Sequence, residues 1–140
     1  MRTFNEHIQQ TEKILESSSS AANDEAWKKW RSLVNMTLKE LEAFQKTEEG
    51  KEALSSENAK ESFHFLLKMI PTGSSYESAE KNWTPLMWKW CKKQNSYISR
   101  MRSMRKRMIG NPFTKNDKMT KWLKMLLIWG HDPRKPLRTI

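Results

Sequence analysis

Between Trp88 and Met108 the chain reads WKWCKKQNSYISRMRSMRKRM, with eight lysines and arginines, two tryptophans, three methionines and no acid. Lys89, Lys92, Lys93, Arg100 and Arg107 recur at helical spacing, separated by Ser96 and Ser103. Guanidinium forks grip phosphate oxygens bidentately and hydroxyls donate to them, so this set suits a phosphate backbone. No Asn or Gln cluster accompanies it on that face, which points to contacts tolerant of base sequence. Trp88 lies on the flank, where it could stack on an unpaired base for roughly 1–3 kcal/mol or pack against a neighbouring helix. Lys121, with Lys115, Lys118 and the Arg134 to Arg138 tail, offers a second group of cations.

The plain alternative is a solvated helix face. Such a face normally mixes signs at i and i+4, yet Lys81 to Asn116 holds no acid. Its cations therefore repel by a few tenths of a kcal/mol per close pair until something negative relieves them. Three partners fit: nucleic acid, with DNA expected before RNA; an acidic protein surface, including the chain's own acidic half; and anionic lipid. A calmodulin-target or interfacial membrane helix has the same composition, but those segments stand alone, whereas this one is flanked by capped helices that need its apolar side.

Catalytic signals are weak, and no enzyme or cofactor is expected. His7, His64 and His131 show no metal-ligand spacing and no glycine-rich phosphate loop is present. His131 beside Asp132 has the look of a dyad, but after Gly130 the pair reads as a capping turn. The lone Cys91 can close no internal disulfide and belongs to no zinc pattern.

The elements that must carry the stripe follow from spacing. Thr3 and Glu6 form a capping-box pair before a short helix from Phe4 to Glu16, and SSSSAAN reads as a flexible link. Asn23 is then the expected N-cap of a helix from Asp24 to Thr47, with Trp27, Trp30, Val34, Leu38, Leu41 and Phe44 inward and Gly50 as the stop. Ser55 or Ser56 starts a third helix, closed by Pro71 and Gly73. Ser74 and Glu77 suggest a brief helix through Asn82, and Thr84 with Pro85 opens a long one to Met108. On it Met87, Trp90, Cys91, Tyr97, Ile98, Met101, Met104 and Met108 share one side and the basic stripe the other. Gly110, Asn111 and Pro112 break it, FTKNDK reads as a loop, and a last helix from Thr120 carries Trp122, Leu123, Leu126, Leu127 and Trp129. The tail HDPRKPLRTI reads as irregular.

The class is all-α: a single compact helical domain of five or six helices, two of them long, packed through Trp30, Val34, Leu38, Trp90, Ile98 and Met101. Length agrees, since 140 residues suit one domain. So does composition, with seven Trp but only four Gly and five Pro. Within it, residues 1–22 form a short helix and link, 23–80 an acidic half and 81–140 a basic half. Residues 1–80 carry 10 basic and 14 acidic side chains, a net of −4; residues 81–140 carry 16 and 2, a net of +14. Such polarisation is a sign of contact with a polyanion. The start MRTFNEHIQQ lacks a signal-peptide core, and the longest apolar run, MLLIW, is far below the roughly 20 residues of a membrane span. Secretion is not expected.

Two stretches, IPTGSSYESAEKNWTPLMWKWCKKQNSYISRMR (Ile70 to Arg102) and LLIWGHDPRK (Leu126 to Lys135), resemble a group of small basic proteins of bacteriophages and large DNA viruses of aquatic hosts. In that group a Trp-rich helix with a Lys-Gln and Ser-Arg-Met pattern precedes a turn-rich loop and a WGHDP-like element; FQKTEEGKEA (Phe44 to Ala53) is similar to the segment before them. The likeness covers Leu41 to Lys135 and carries no catalytic motif. It implies a viral protein, in a virion or an infected cell, where a basic protein meets the genome. RSMRKRMIGNPFTKND departs from the more glycine-rich loop expected there.

Overall fold

The computed structural model describes residues 21–139. The expected helix from Phe4 to Glu16 and most of the serine link lie outside the described residues. The remainder is all-α, with seven helices and one two-stranded hairpin among the described residues.

Helix α1 covers residues 21–33, so Asn23 lies within it and is not its N-cap. The periodic run from Asp24 to Thr47 does not form one helix. It breaks at residues 34–37, and α2 (Leu38–Gln45) starts from Thr37 in a full capping box: the Thr37 hydroxyl accepts from Glu40 N–H at 3.1 Å and the Glu40 carboxylate from Thr37 N–H at 3.0 Å. The chain's far end supplies the cause. Arg138 N–H donates to Ser32 O at 3.0 Å, His131 Nδ1–H to Leu33 O at 2.6 Å, and Met36 N–H to Gly130 O at 3.3 Å. Asn35 accepts from Asp132 N–H at 2.7 Å and donates to Asp132 O at 3.0 Å. The tail thus fills backbone positions that a continuing helix would have satisfied itself.

Helix α3 (Glu48–Ala53) follows from Thr47. Gly50, the expected stop, lies inside it because a Cβ there would meet Phe44 O at 2.0 Å. Helix α4 (Glu57–Thr72) is capped by Ser56 and retains Pro71 in its last turn, and α5 (Tyr76–Asn82) starts from Ser75, one residue after the expected Ser74. Helix α6 (Pro85–Met104) begins at Thr84 as expected but stops four residues early, passing into a 3₁₀ turn over Arg105–Arg107. The expected loop contains a hairpin, β1 (Thr114–Lys115) with β2 (Lys118–Met119), turning through Asn116 and Asp117, both at positive φ. Short polar side chains tolerate that region best. Helix α7 (Lys121–Ile128) is capped by Thr120 and ends in a Schellman turn: Gly130, at φ +87, bonds back to Leu127 O and His131 N–H to Leu126 O.

Buried residues from both halves form one hydrophobic cluster, and all seven tryptophans belong to it. Trp30 meets Trp83 edge-on at 5.0 Å, and Trp83 meets Trp88 at 4.8 Å. Of the methionines assigned inward, Met87 is buried, Met101 and Met108 are half-buried, and Met104 is 43% exposed because α6 runs past the core there. The interior also holds a polar clasp. Trp30 Nε1–H donates to Gln94 Oε1 at 2.8 Å, and Gln94 donates to Ser62 O and Oγ at 3.3 and 3.2 Å, joining α1, α6 and α4. Gln94→Leu keeps the volume but strands the Trp30 N–H and the Ser62 hydroxyl, so urea unfolding should show a loss of about 1–3 kcal/mol. An unchanged midpoint would show the clasp to be energetically idle.

His131 is fully buried. Its Nδ1 donates to Leu33 O, so Nε2 accepts from Arg102 Nη1 at 3.2 Å, and the imidazole is neutral. Burial pushes its pKa down, aided by Arg102 and opposed by the Leu33 bond and Asp132. The unfolded chain then binds more protons than the folded one below pH 6.5. Stability should be full above that pH and fall as the pH drops through the depressed folded value. Asp132 acts with the same sign at lower pH: burial raises its pKa, but the side-chain and backbone bonds from Arg134 outweigh that and hold it down. A denaturation midpoint that did not fall between pH 7.5 and 5.5, or a His131 titration by NMR at or above 6.5, would contradict this.

Candidate nucleic-acid interface

Helix α6 is buried on one side by Trp90, Cys91, Gln94 and Ile98, which leaves Lys89, Lys92, Lys93, Ser96 and Arg100 exposed on the other. Thr84 and Pro85 fix its start, and Gln94 and Asn95, the latter donating to Ala26 O at 2.9 Å, fix its rotation. These five exposed residues line a groove of about 820 Å³. Asn23 of α1, Ser56 and Asn58 at the start of α4, and Met125 and Trp129 of the α7 segment complete its walls. Among the described residues no carboxylate lines it, although Glu57 stands next to Ser56 in the α4 first turn.

Six of the eight residues expected from the sequence therefore gather at one groove. Arg107 and Lys121 do not line it: Arg107 is exposed on the 3₁₀ turn and Lys121 is exposed at the start of α7. Trp88 borders the groove but is only 8% exposed, packed on Trp83 and Tyr76, which withdraws its faces from a ligand. The groove's accessible aromatic surface comes instead from Tyr97, because Trp90 and Trp129 border the groove but are each only 4% exposed. Phe65 stacks on Trp90 at 5.5 Å, and the Lys93 ammonium lies 4.6 Å from the Trp90 ring centroid. Tyr97 stacks on Trp129 at 4.0 Å and 17°. Helical spacing had assigned both Trp90 and Tyr97 inward; Trp90 is buried as expected, whereas Tyr97 is half-buried and lines the groove. Nothing local marked Asn23, Ser56 or Asn58 as part of it, since they arrive from distant helices.

The described acidic side chains do not neutralise the groove. Their ion pairs join Asp24 to Lys28, Glu48 to Lys51, Glu52 to Lys124, Glu40 to Lys135 and Asp132 to Arg134. Among the described residues, Lys89, Lys92, Lys93, Arg100 and Arg107 make none. Arg100 bonds only to Ser96 O, one turn back, at 3.4 Å. The acidic and basic halves do meet, through Glu52 with Lys124 and Glu40 with Lys135, away from the stripe.

No protein family, curated protein or solved structure matches the chain. The groove's chemistry must speak for itself. The described residues hold no cluster of three or more His, Cys, Asp or Glu suited to a metal ion, and no described helix is long and apolar enough to cross a membrane. Burial pushes the Cys91 thiol up to about 12, which suits a core side chain and not a nucleophile. His131 and Asp132 are committed to the α1–α2 junction and Arg134. What remains is a cationic, hydroxyl-bearing groove with the Tyr97 ring in its floor.

Because neither arginine makes an ion pair among the described residues, Arg100→Gln with Arg107→Gln should leave thermal stability within about 0.5 kcal/mol of the parent. A clear drop in the melting midpoint would reveal a structural carboxylate partner for one of them.

Proposed function

We propose that the protein binds nucleic acid through the α6 groove, holding the phosphate backbone with little regard to base sequence and performing no chemistry on it. The observation that carries this reading is the set of four cations, Lys89, Lys92, Lys93 and Arg100, lining one groove with no carboxylate beside them among the described residues. Four like charges along three turns repel one another, and a polyanion relieves that repulsion while releasing its own counterions. Ser96, Ser56 and the amides of Asn23 and Asn58 add neutral donors suited to phosphate or sugar oxygens. The absence of a catalytic role is supported by the engagements of Asp132 and His131 and by the place of Asp117 in the hairpin turn.

The likeness of the Trp-rich stretch to viral proteins supports a setting in a virion or an infected cell, with DNA as the first substrate to test. Docking of an acidic protein is the competing reading, and it would use the same cations.

Gel shift of random-sequence DNA and RNA at low salt tests the proposal directly, and a protein that shifts neither is not a nucleic-acid binder. In a salt titration each neutralised phosphate contributes about 0.7–0.9 to the magnitude of the slope of log affinity against log salt. Lys92→Gln with Arg100→Gln should therefore flatten it by roughly 1.5 units. Arg107→Gln, outside the groove, should change it less. The reverse order would move the contact to the 3₁₀ turn and hairpin.

A further inference from the structure

We infer that the groove selects an unpaired strand over a duplex, with a base packed on Tyr97 and the flanking phosphates on Lys89, Lys92, Lys93 and Arg100. The inference rests on the nucleic-acid reading and sharpens it to single-stranded substrate.

The first ground is the shape of the charge. The cations do not stand on an open convex surface, where a duplex could lay its two phosphate rails. They border a groove with the Tyr97 ring in its floor. A duplex keeps its base faces stacked inside and offers only phosphate and sugar to such a floor. A single strand can set phosphates on the rim and turn a base inward, and every base has a face to offer. From Lys89 to Arg100 the stripe runs about 16 Å along the helix, at 1.5 Å per residue, which matches a short stretch of extended strand.

The second ground is which ring is free. Trp90 is held between Phe65 and the Lys93 ammonium, Trp129 is 4% exposed, and Trp88 is enclosed by Trp83 and Tyr76. Tyr97 differs from all three. It is half-buried, with Trp129 stacked against it at 4.0 Å, and its remaining surface lines the groove. That stacking holds the ring in place before any ligand arrives.

The third ground is the Tyr97 hydroxyl. It makes no hydrogen bond within the described protein and is not among its buried unpartnered atoms, so it is accessible to a ligand. Burial pushes its pKa up, against a lowering influence from Arg100, so at neutral pH it is a phenol with a proton to donate. A phosphate or base oxygen in the groove would accept that proton while Arg100 neutralises the charge. Half-buried Met125, across the groove, gives a soft wall that can adapt to purine or pyrimidine.

The test compares a labelled thymidine 12-mer with a mixed-sequence 12-base-pair duplex, binding each to the intact chain by fluorescence anisotropy at one salt concentration. The single strand should bind at least about fivefold more tightly, the smallest preference expected from stacking one base on an aromatic ring. Tyr97→Leu should bring the two affinities close to equal, and Tyr97→Phe, which keeps the ring and loses the hydroxyl, should leave a preference between that of the parent and that of the leucine variant. Because Tyr97 packs on Trp129, a melting curve of each variant accompanies the measurement. If Tyr97→Leu does not fold, ultraviolet crosslinking of a 5-iodouracil 12-mer to the unaltered chain decides instead, with adducts expected on Tyr97 or its groove neighbours. Adducts confined to Arg105–Met119 would overturn the inference. A duplex bound as tightly as the strand would also overturn it while leaving the nucleic-acid reading standing. Failure to bind either would remove both. Complete competition by millimolar inorganic phosphate would reduce the groove to a plain anion site.

Discussion

The rotational setting of α6 is the constraint on which the arrangement depends, and the Trp30–Gln94 hydrogen bond at 2.8 Å is its central fastening. An amphipathic helix with a broad apolar side can roll through tens of degrees at little cost, because hydrophobic contact is non-directional. A buried amide removes that freedom. Gln94 must meet the Trp30 indole on one side and Ser62 on the other, and Asn95 must reach Ala26 O. With those satisfied, Lys89, Lys92, Lys93 and Arg100 can point only toward the groove. Aliphatic side chains at 94 and 95 would supply burial without direction, and the stripe would lose its fixed relation to Asn58, Met125 and Trp129.

Much of this was legible in the sequence where the determinants are local. Thr84 with Pro85, Ser56 and Thr120 are caps whose side chains act within three residues, and each begins a helix as expected. The stripe was legible for the same reason, since four of its five cations, Lys89, Lys92, Lys93 and Arg100, share one helix and lie together whatever it packs against, while Arg107 falls beyond the helix end. The break at residues 34–37 was not, because the groups that cause it come from Gly130, His131, Asp132 and Arg138 and exist as partners only in the folded chain. One local sign was present: Thr37 and Glu40 form a capping box in the middle of the apolar run, and the continuous spacing of Val34, Leu38 and Leu41 obscured it. Periodicity reports which residues face inward and is silent on whether the backbone between them remains helical.

The groove was half legible for a related reason. One wall is a single helix and could be projected; the other is assembled from α1, α4 and the end of α7. Trp88 illustrates the limit. It sits at the border of the apolar and basic faces, and a helical projection cannot tell whether such a residue meets solvent or a neighbour. The answer came from Trp83 and Tyr76, which enclose it, while Tyr97, projected inward with the methionines, keeps surface in the groove.

The polarised charge leaves one question of physics: why an acidic half of the same chain does not simply cover the basic stripe. Packing answers it. Helices α2 and α3, which carry Glu40 and Glu52, lie against α7, so those carboxylates reach Lys135 and Lys124 and not α6. Burial of the tryptophans fixes that geometry, and surface ion pairs worth about 0–1 kcal/mol each cannot pull helices away from a shared core. Lys89, Lys92, Lys93 and Arg100 concentrate in a concave site backed by the aromatic core, where low-dielectric walls focus the field more strongly than a flat surface would. The same core that brings α2 and α3 to α7 thereby leaves the α6 groove, among the described residues, charged and without a carboxylate.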